Sequence, residues 1–382
     1  MVHYLDHAAS TPVHPRAVEA MTEVLTNSYG NPSGSHRLAR EATIRLDAAR
    51  STIAQCFGLK PGNLVFTSGG TEADSLAVNG ALQRTGPGSV AVCSAIEHHA
   101  ILDPIIKTGG ELVGVLPDGT LDLRHLRAVL NGLAEAQKPV ALVSVMAANN
   151  ESGVVQPVVE AATIVRQLAP DALVHTDAVQ FPAWRSTVDL AEAVDMMSVS
   201  AHKFGGPKGT GFLSVRNDVT LPPHQLGGGQ ERGRRGGTQN VPGIVAMAAA
   251  VEVMIAERVD QAERISSLRD RMVARITSAI SGVTITGGQA ERLPNIAHLC
   301  VDGVESEALL FLLEKHDVMA SAAASCSSGA QQTSHVLAAM GVPANSARGA
   351  IRLSLGYSST QENVDAAADA VVAAVTRSRS HG

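Results

Sequence analysis

Short apolar runs recur along the first half of the chain, at intervals that leave room for a helix between them. The runs NLVFTS (63–68), SVAVCSA (89–95), PVALVSVMA (139–147), ALVHTDA (172–178), DMMSVS (195–200) and GFLSV (211–215) predict strands. Several are apolar without alternating with polar positions, as strands covered on both faces are. Stretches with helical spacing lie between them, such as TEADSLAVNGAL from Thr71 and VVEAATIVRQLA from Val158. This alternation predicts an α/β layer around a largely parallel sheet.

From Val241 to about Ala279 the helical pattern runs unbroken, with Pro242 in a first turn that tolerates its missing N–H. A second series follows: strand NIAHLCVDG, helix SEALLFLLEKH, a Ser/Ala-rich loop, helix SHVLAAMG, strand AIRLSLG and helix TQENVDAAADAVVAAVTRS. With 382 residues, more than one core usually serves, the chain is expected to form two domains. The large one is placed at 1–255, with residues 1–15 expected to pack against the small one at 256–382. No internal repeat is present, and the one biased segment, SAAASCSSGAQQTS (321–334), predicts a mobile loop.

Composition narrows the function classes. Aromatic residues are only 3%, so the core must be built from Ala, Val, Leu and Ile. A formal charge of −6 argues against nucleic-acid binding, and the one basic run, ERGRRGGTQN, is short and glycine-broken. The N-terminal MVHYLDHAAS has no charged leader or apolar core, and no run is long enough to cross a bilayer. A cytoplasmic protein without membrane contact is the expectation. Four scattered cysteines make no disulfide framework, and without CxxC or HExxH no metal site is expected.

Polar residues collect just after the predicted strands: Gly70 and Thr71, His98, Asn150, Asp177 and Gln180, then Ser200, His202 and Lys203. Open α/β sheets bind ligands outside the carboxyl ends of their strands. Gly-Gly-Thr between a strand and a helix suits an anion, although by itself it is as ordinary as a glycine turn with a Thr cap. An Asp at a strand end can pair with a protonated pyridine nitrogen, and a lysine amine can form a Schiff base with pyridoxal phosphate. The bland alternative is that Lys203 reaches out to solvent. Lys208, in the Pro/Gly turn GPKG, reads as an exposed tip. Arg352 interrupts an apolar strand and is suited to a carboxylate, the alternative being an outward-facing position. His98 and His99 are adjacent, so they face different ways on extended backbone; one is expected at the site and the other merely to start a helix.

Taken together, YLDHAASTPVHPRA, GNPSGSH, FTSGGTEADSLA, EHHAILD, NNESGVVQP, HTDAVQ, SAHKFGGPKGTG, GGGQERGRRGGTQN and IRLSLG resemble the cysteine desulfurases of the NifS/IscS type. The resemblance runs from about residue 4 to 375 with these motifs in order. It implies a fold-type I pyridoxal-phosphate enzyme, an α/β protein with a mostly parallel sheet in its large domain and a smaller C-terminal α/β domain. Lys203 would hold pyridoxal 5'-phosphate, Asp177 would pair with its ring nitrogen, and Gln180 and Asn150 would lie by its phenolic oxygen. Gly70, Thr71, Ser200 and His202 would hold the phosphate. Thr238 would reach the phosphate of the neighbouring subunit, implying a homodimer. His98 would stack over the ring and move protons. Arg352, helped by Asn31, would grip the carboxylate of L-cysteine.

The resemblance also gives Cys326 the nucleophile's part: its thiolate would attack the substrate sulfur, keep it as a persulfide and release L-alanine. Cys93 and Cys300 lie in apolar strands and Cys56 follows a helical pattern, so these three read as small core residues. The loop departs from the family: SAAAS precedes Cys326 where many members carry a glycine, so a stiffer N-terminal side of the loop is the expectation, while CSSGAQQTS keeps the longer loop length. Sulfur would pass to an iron–sulfur scaffold or another acceptor protein, and to tRNA thiolation. The alternatives are a lyase or aminotransferase acting on selenocysteine or another small amino acid, and a non-catalytic scaffold paralogue.

Overall fold

The computed structural model describes residues 2–322 and 334–381. Among these, seven strands form the main sheet: β2 (Leu64–Thr67), β3 (Val90–Ser94), β4 (Glu111–Val113), β5 (Val140–Ser144), β6 (Leu173–Asp177), β7 (Met196–Ser200) and β8 (Gly211–Val215). Their order is β2-β8-β7-β6-β5-β3-β4, with β8 antiparallel to both neighbours and every other pairing parallel. After β3 the chain goes to β4 on one side and then to β5 on the other, so the order reverses between β3 and β5. Such a reversal opens a crevice at the strands' carboxyl ends.

Both faces of this sheet are covered, which is why its strands read as apolar without alternation. Val92, Val143, Val174, Met197 and Phe212 enter one core, while Ala91, Cys93, Leu142, Leu173 and Leu213 enter another. The helix Gly70–Thr85 lies on the second face together with His99–Lys107.

The helix Val241–Ala279, 39 residues and so about 59 Å long, connects two cores. Its Ile244, Met247 and Val251 pack on the main sheet; its Ile265, Met272 and Ile276 pack with a second core. That second core covers a three-stranded antiparallel sheet of order β12-β10-β9, made of β9 (Val283–Ile285), β10 (Ile296–Val301) and β12 (Ala350–Ser354). The N-terminal β1 (His3–Tyr4) pairs in parallel with β11 (Val318–Met319), and Leu5 is fully buried in the second core.

Strands β1, β4, β9 and β11 were not foreseen from the pattern. Each has two or three residues, too few to show a period, and exists because a distant strand lends it hydrogen bonds. No helix among the described residues is long and apolar enough to cross a membrane.

Candidate active site

A cavity of about 550 Å³ opens outside the carboxyl ends of β3, β5, β6 and β7. Gly70, Thr71, His98, Asn150 and Asp177 line it, as do Gln180, Ser200, His202, Lys203 and Arg352. The polar strand ends therefore share one space with an arginine from the other sheet. Lys208 is exposed and not part of it.

Lys203 ends a 3₁₀ turn, Ala201–Lys203, that follows β7 directly. Its Nζ donates to the carbonyls of Ala8 at 2.7 Å and Ala9 at 2.9 Å. Gln180 Nε2 donates to the same Ala8 carbonyl at 2.8 Å. Burial and the Arg352 cation lower the Lys203 pKa to about 8, against the opposing pull of Asp177 and Asp6. The amine is thus tuned toward its neutral form by the means that nucleophilic lysines use.

Asp177 closes β6, and its Oδ1 accepts the N–H of Val179 at 2.8 Å. Burial raises its pKa, while that N–H and the nearby His98 and Lys203 hold it down. Two more buried carboxyls, Asp74, which also lines the cavity, and Glu97, are both pushed well above the usual carboxylate range, chiefly by burial and then by the Asp177 charge. Asp74 Oδ1 stands 3.7 Å from His175 Nε2. Both ring nitrogens of His175 meet serine hydroxyls, Ser144 and Ser198, at 2.9 Å. Burial takes this imidazole down to about 3, so it is neutral and makes no ion pair with Asp74.

The start of a helix borders the same cavity. Gly70 begins the helix Gly70–Thr85, and its N-cap Gly69 has φ 153°, a conformation that suits glycine. A Cβ on Gly70 would come 2.9 Å from Val179 Cγ2. Backbone N–H groups at this helix start, Thr71 and the buried Ser200 hydroxyl border the same space. Ser200 Oγ has no hydrogen-bond partner among the described residues. A buried hydroxyl without a partner costs free energy unless a ligand satisfies it. His202 reaches Ser10 Oγ through Nδ1 at 3.3 Å, and burial lowers its pKa to about 4.

His98 carries both roles that the sequence divided between two histidines. It caps the helix His99–Lys107, its Nδ1 accepting the Ala100 N–H at 3.1 Å, and it also lines the cavity. Accepting at Nδ1 leaves the neutral ring's proton on Nε2. Burial lowers its pKa. His99 instead pairs with Asp103 at 2.9 Å and packs on the His335 ring at 4.9 Å.

Neither Asn31 nor Thr238 lines this chain's cavity. Both are exposed, and Asn31 Oδ1 accepts from the Ser33 N–H at 2.9 Å. Cys326 lies outside the described residues. Cys93 and Cys300 are buried free thiols and Cys56 is half-buried. Burial pushes all three thiols up, away from the thiolate form. Sequence reasoning missed Asp6, Asp74 and Glu97. No local signal marks them, since YLDH, TEADSL and SAIEHH each set the carboxylate among other polar residues.

The aminotransferase class-V family matches residues 3–367. The chain belongs to it. An IscS-like cysteine desulfurase of Mycobacterium tuberculosis is 41% identical over 387 residues, covering 98% of this chain and 97% of the relative. A cysteine desulfurase IscS of Dictyoglomus turgidum is 38% identical over 369 residues, covering 95% of this chain and 91% of that one. Among solved structures, a NifS-like protein superposes with a TM-score of 0.89 at 34% identity, over 99% of this chain and 100% of its own. The architecture, a mostly parallel seven-stranded sheet with a smaller antiparallel one, is therefore the fold-type I arrangement of NifS-like proteins.

Proposed function

We propose that the protein is a cysteine desulfurase that uses pyridoxal 5'-phosphate, converts L-cysteine to L-alanine and carries off the sulfur as a persulfide on Cys326. The observation that carries the reading is Lys203, an amine with its pKa lowered to about 8, in one cavity with a buried Asp177. The donor set fits the cofactor. The unpartnered Ser200 hydroxyl at a glycine-led helix N-terminus suits its phosphate, and Asp177 suits a protonated pyridine nitrogen. When bound, pyridoxal phosphate supplies an electron sink for bonds at the substrate's α-carbon.

The chain's own residues do the rest. Lys203 offers an amine that is partly neutral near physiological pH, Asp177 would pair with the protonated ring nitrogen, and Gln180 and Asn150 would lie beside the ring oxygen. Gly70, Thr71, Ser200 and His202 hold the phosphate, joined by Thr238 from the second subunit of a homodimer. His98, with its proton on Nε2, would stand over the ring and move protons. Arg352 takes the substrate carboxylate; Asn31, its expected helper, lies outside this chain's cavity. The Cys326 thiolate attacks the substrate sulfur: an S–S bond forms, the C–S bond breaks, and the carbon takes a proton to leave as alanine. The persulfide then serves an iron–sulfur scaffold or another acceptor, including tRNA thiolation, in the cytoplasm. Residues 1–255 and 256–382 make up the two domains.

The test is alanine and sulfide release from L-cysteine with a reductant, comparing wild type with Cys326→Ala. Both proteins should be yellow, and only wild type should turn over. Equal turnover would remove Cys326 as the nucleophile and favour a lyase acting on selenocysteine or another small amino acid. A colourless wild type would favour a non-catalytic scaffold.

A further inference from the structure

Arg352 is held by parts of the chain that no local pattern connects. It leaves β12 opposite His298 of β10 and is 4% exposed. Its Nη1 donates to the Asn150 carbonyl at 2.8 Å, and its Nη2 donates to Asp6 Oδ1 at 2.7 Å. Its Nε–H has no partner among the described residues. Asp6 is also the one carboxylate within ion-pair distance of Arg352 among those residues.

The segment that carries Asp6 is fastened on both sides. His3 and Tyr4 pair with Val318 and Met319, the Ala8 N–H reaches Ser354 Oγ at 2.9 Å, and the Thr11 N–H reaches the His202 carbonyl at 3.0 Å. Tyr4 Oη folds it further by donating to the Ser10 carbonyl at 2.7 Å. Asp6 is thus presented on a fixed backbone, two and three residues before the carbonyls that hold Lys203. A guanidinium whose stem leaves a strand can pivot about several bonds, and a bidentate carboxylate contact requires one plane.

We propose that Asp6 is a positioning residue for amino-acid recognition: it fixes the plane of the Arg352 guanidinium through Nη2, leaving the unpartnered Nε–H edge for the substrate carboxylate. This rests on the reading of Arg352 given above. Asp6 need not touch the substrate; it acts through the arginine. The side-chain oxygen of an asparagine can accept the same bond, so the charge is replaceable and the acceptor is not.

The experiment titrates purified, cofactor-loaded protein with L-alanine, which has the carboxylate but no thiol to transfer, and with L-alaninamide, which lacks the carboxylate. Binding is read from the cofactor's absorbance in wild type, Asp6→Asn, Asp6→Ala and Arg352→Gln. Asp6→Asn should bind L-alanine within about threefold of wild type. Asp6→Ala should bind it about 10-fold more weakly than Asp6→Asn, the worth of one charge-assisted hydrogen bond. Arg352→Gln should weaken L-alanine, and L-alaninamide should be indifferent to the two Asp6 changes. With L-cysteine, Asp6→Ala should raise KM while keeping kcat. The proposal is overturned if Asp6→Ala and Asp6→Asn bind L-alanine alike, or if Asp6→Ala weakens L-alaninamide as much as L-alanine, the mark of a collapsed segment. A wild type that binds L-alanine but frees no sulfide from L-cysteine would instead sink the desulfurase reading. Indifference of L-alanine to Arg352→Gln would remove the carboxylate site on which this inference rests.

Discussion

The low pKa of Lys203 has a direct kinetic consequence in protein stripped of cofactor. An amine with pKa about 8 is about one-quarter neutral at pH 7.5, whereas a lysine at the ordinary value of 10.5 is neutral about once in a thousand. Only the neutral amine attacks an aldehyde, so capture of pyridoxal phosphate by the stripped protein should rise with pH and level off just above 8. The assay follows growth of cofactor absorbance after mixing, at pH values from 6 to 10. Burial is the larger cause of the shift and the Arg352 cation the second. Arg352→Gln should therefore move the midpoint upward without restoring an ordinary lysine. A capture rate still climbing at pH 10 in wild type would refute the reasoning, as would an Arg352→Gln midpoint below that of wild type. The linked stability follows the same sign. Between about 8 and 10.5 the unfolded chain holds a proton that folded Lys203 has released, so this residue makes the stripped protein more stable as pH rises through that window.

Two further predictions concern stability. Glu231 holds Arg50 at 2.7 and 3.1 Å and also accepts the Phe66 N–H at 3.0 Å, with its side chain 1% exposed. Glu231→Ala strands that cation and should cost about 3–5 kcal/mol in urea unfolding, whereas Arg50→Met with Glu231→Leu should recover most of the loss; additive costs would contradict this. His298 is buried and neutral with a pKa of about 3 against the usual 6.5, so the unfolded state binds the extra proton between those values and stability falls on acidification through them. His298→Gln should flatten the dependence of the urea midpoint between pH 6.5 and 4; an unchanged slope would assign the acid sensitivity elsewhere.

Much of this protein was legible one segment at a time. Six of the main sheet's strands, the helix Val241–Ala279 and the polar strand ends could be read directly, because burial on both faces writes itself into consecutive residues. Gly70, Asp177 and Lys203 were readable for a related reason: each breaks an apolar run at the point where a strand gives way to a loop. Tertiary structure alone decided the contacts between those segments. Asp6 and Arg352 are 346 positions apart, and Ala8 is 195 from the lysine it holds. Burial of Asp74 and Glu97 near Asp177, the dual place of His98 and the two-residue pairing of β1 with β11 likewise have no local signature. A sequence pattern records how each residue meets its neighbours and the solvent. Which charge stands opposite which is fixed only when the chain closes, since a hydrogen bond is specified by distance and direction in space.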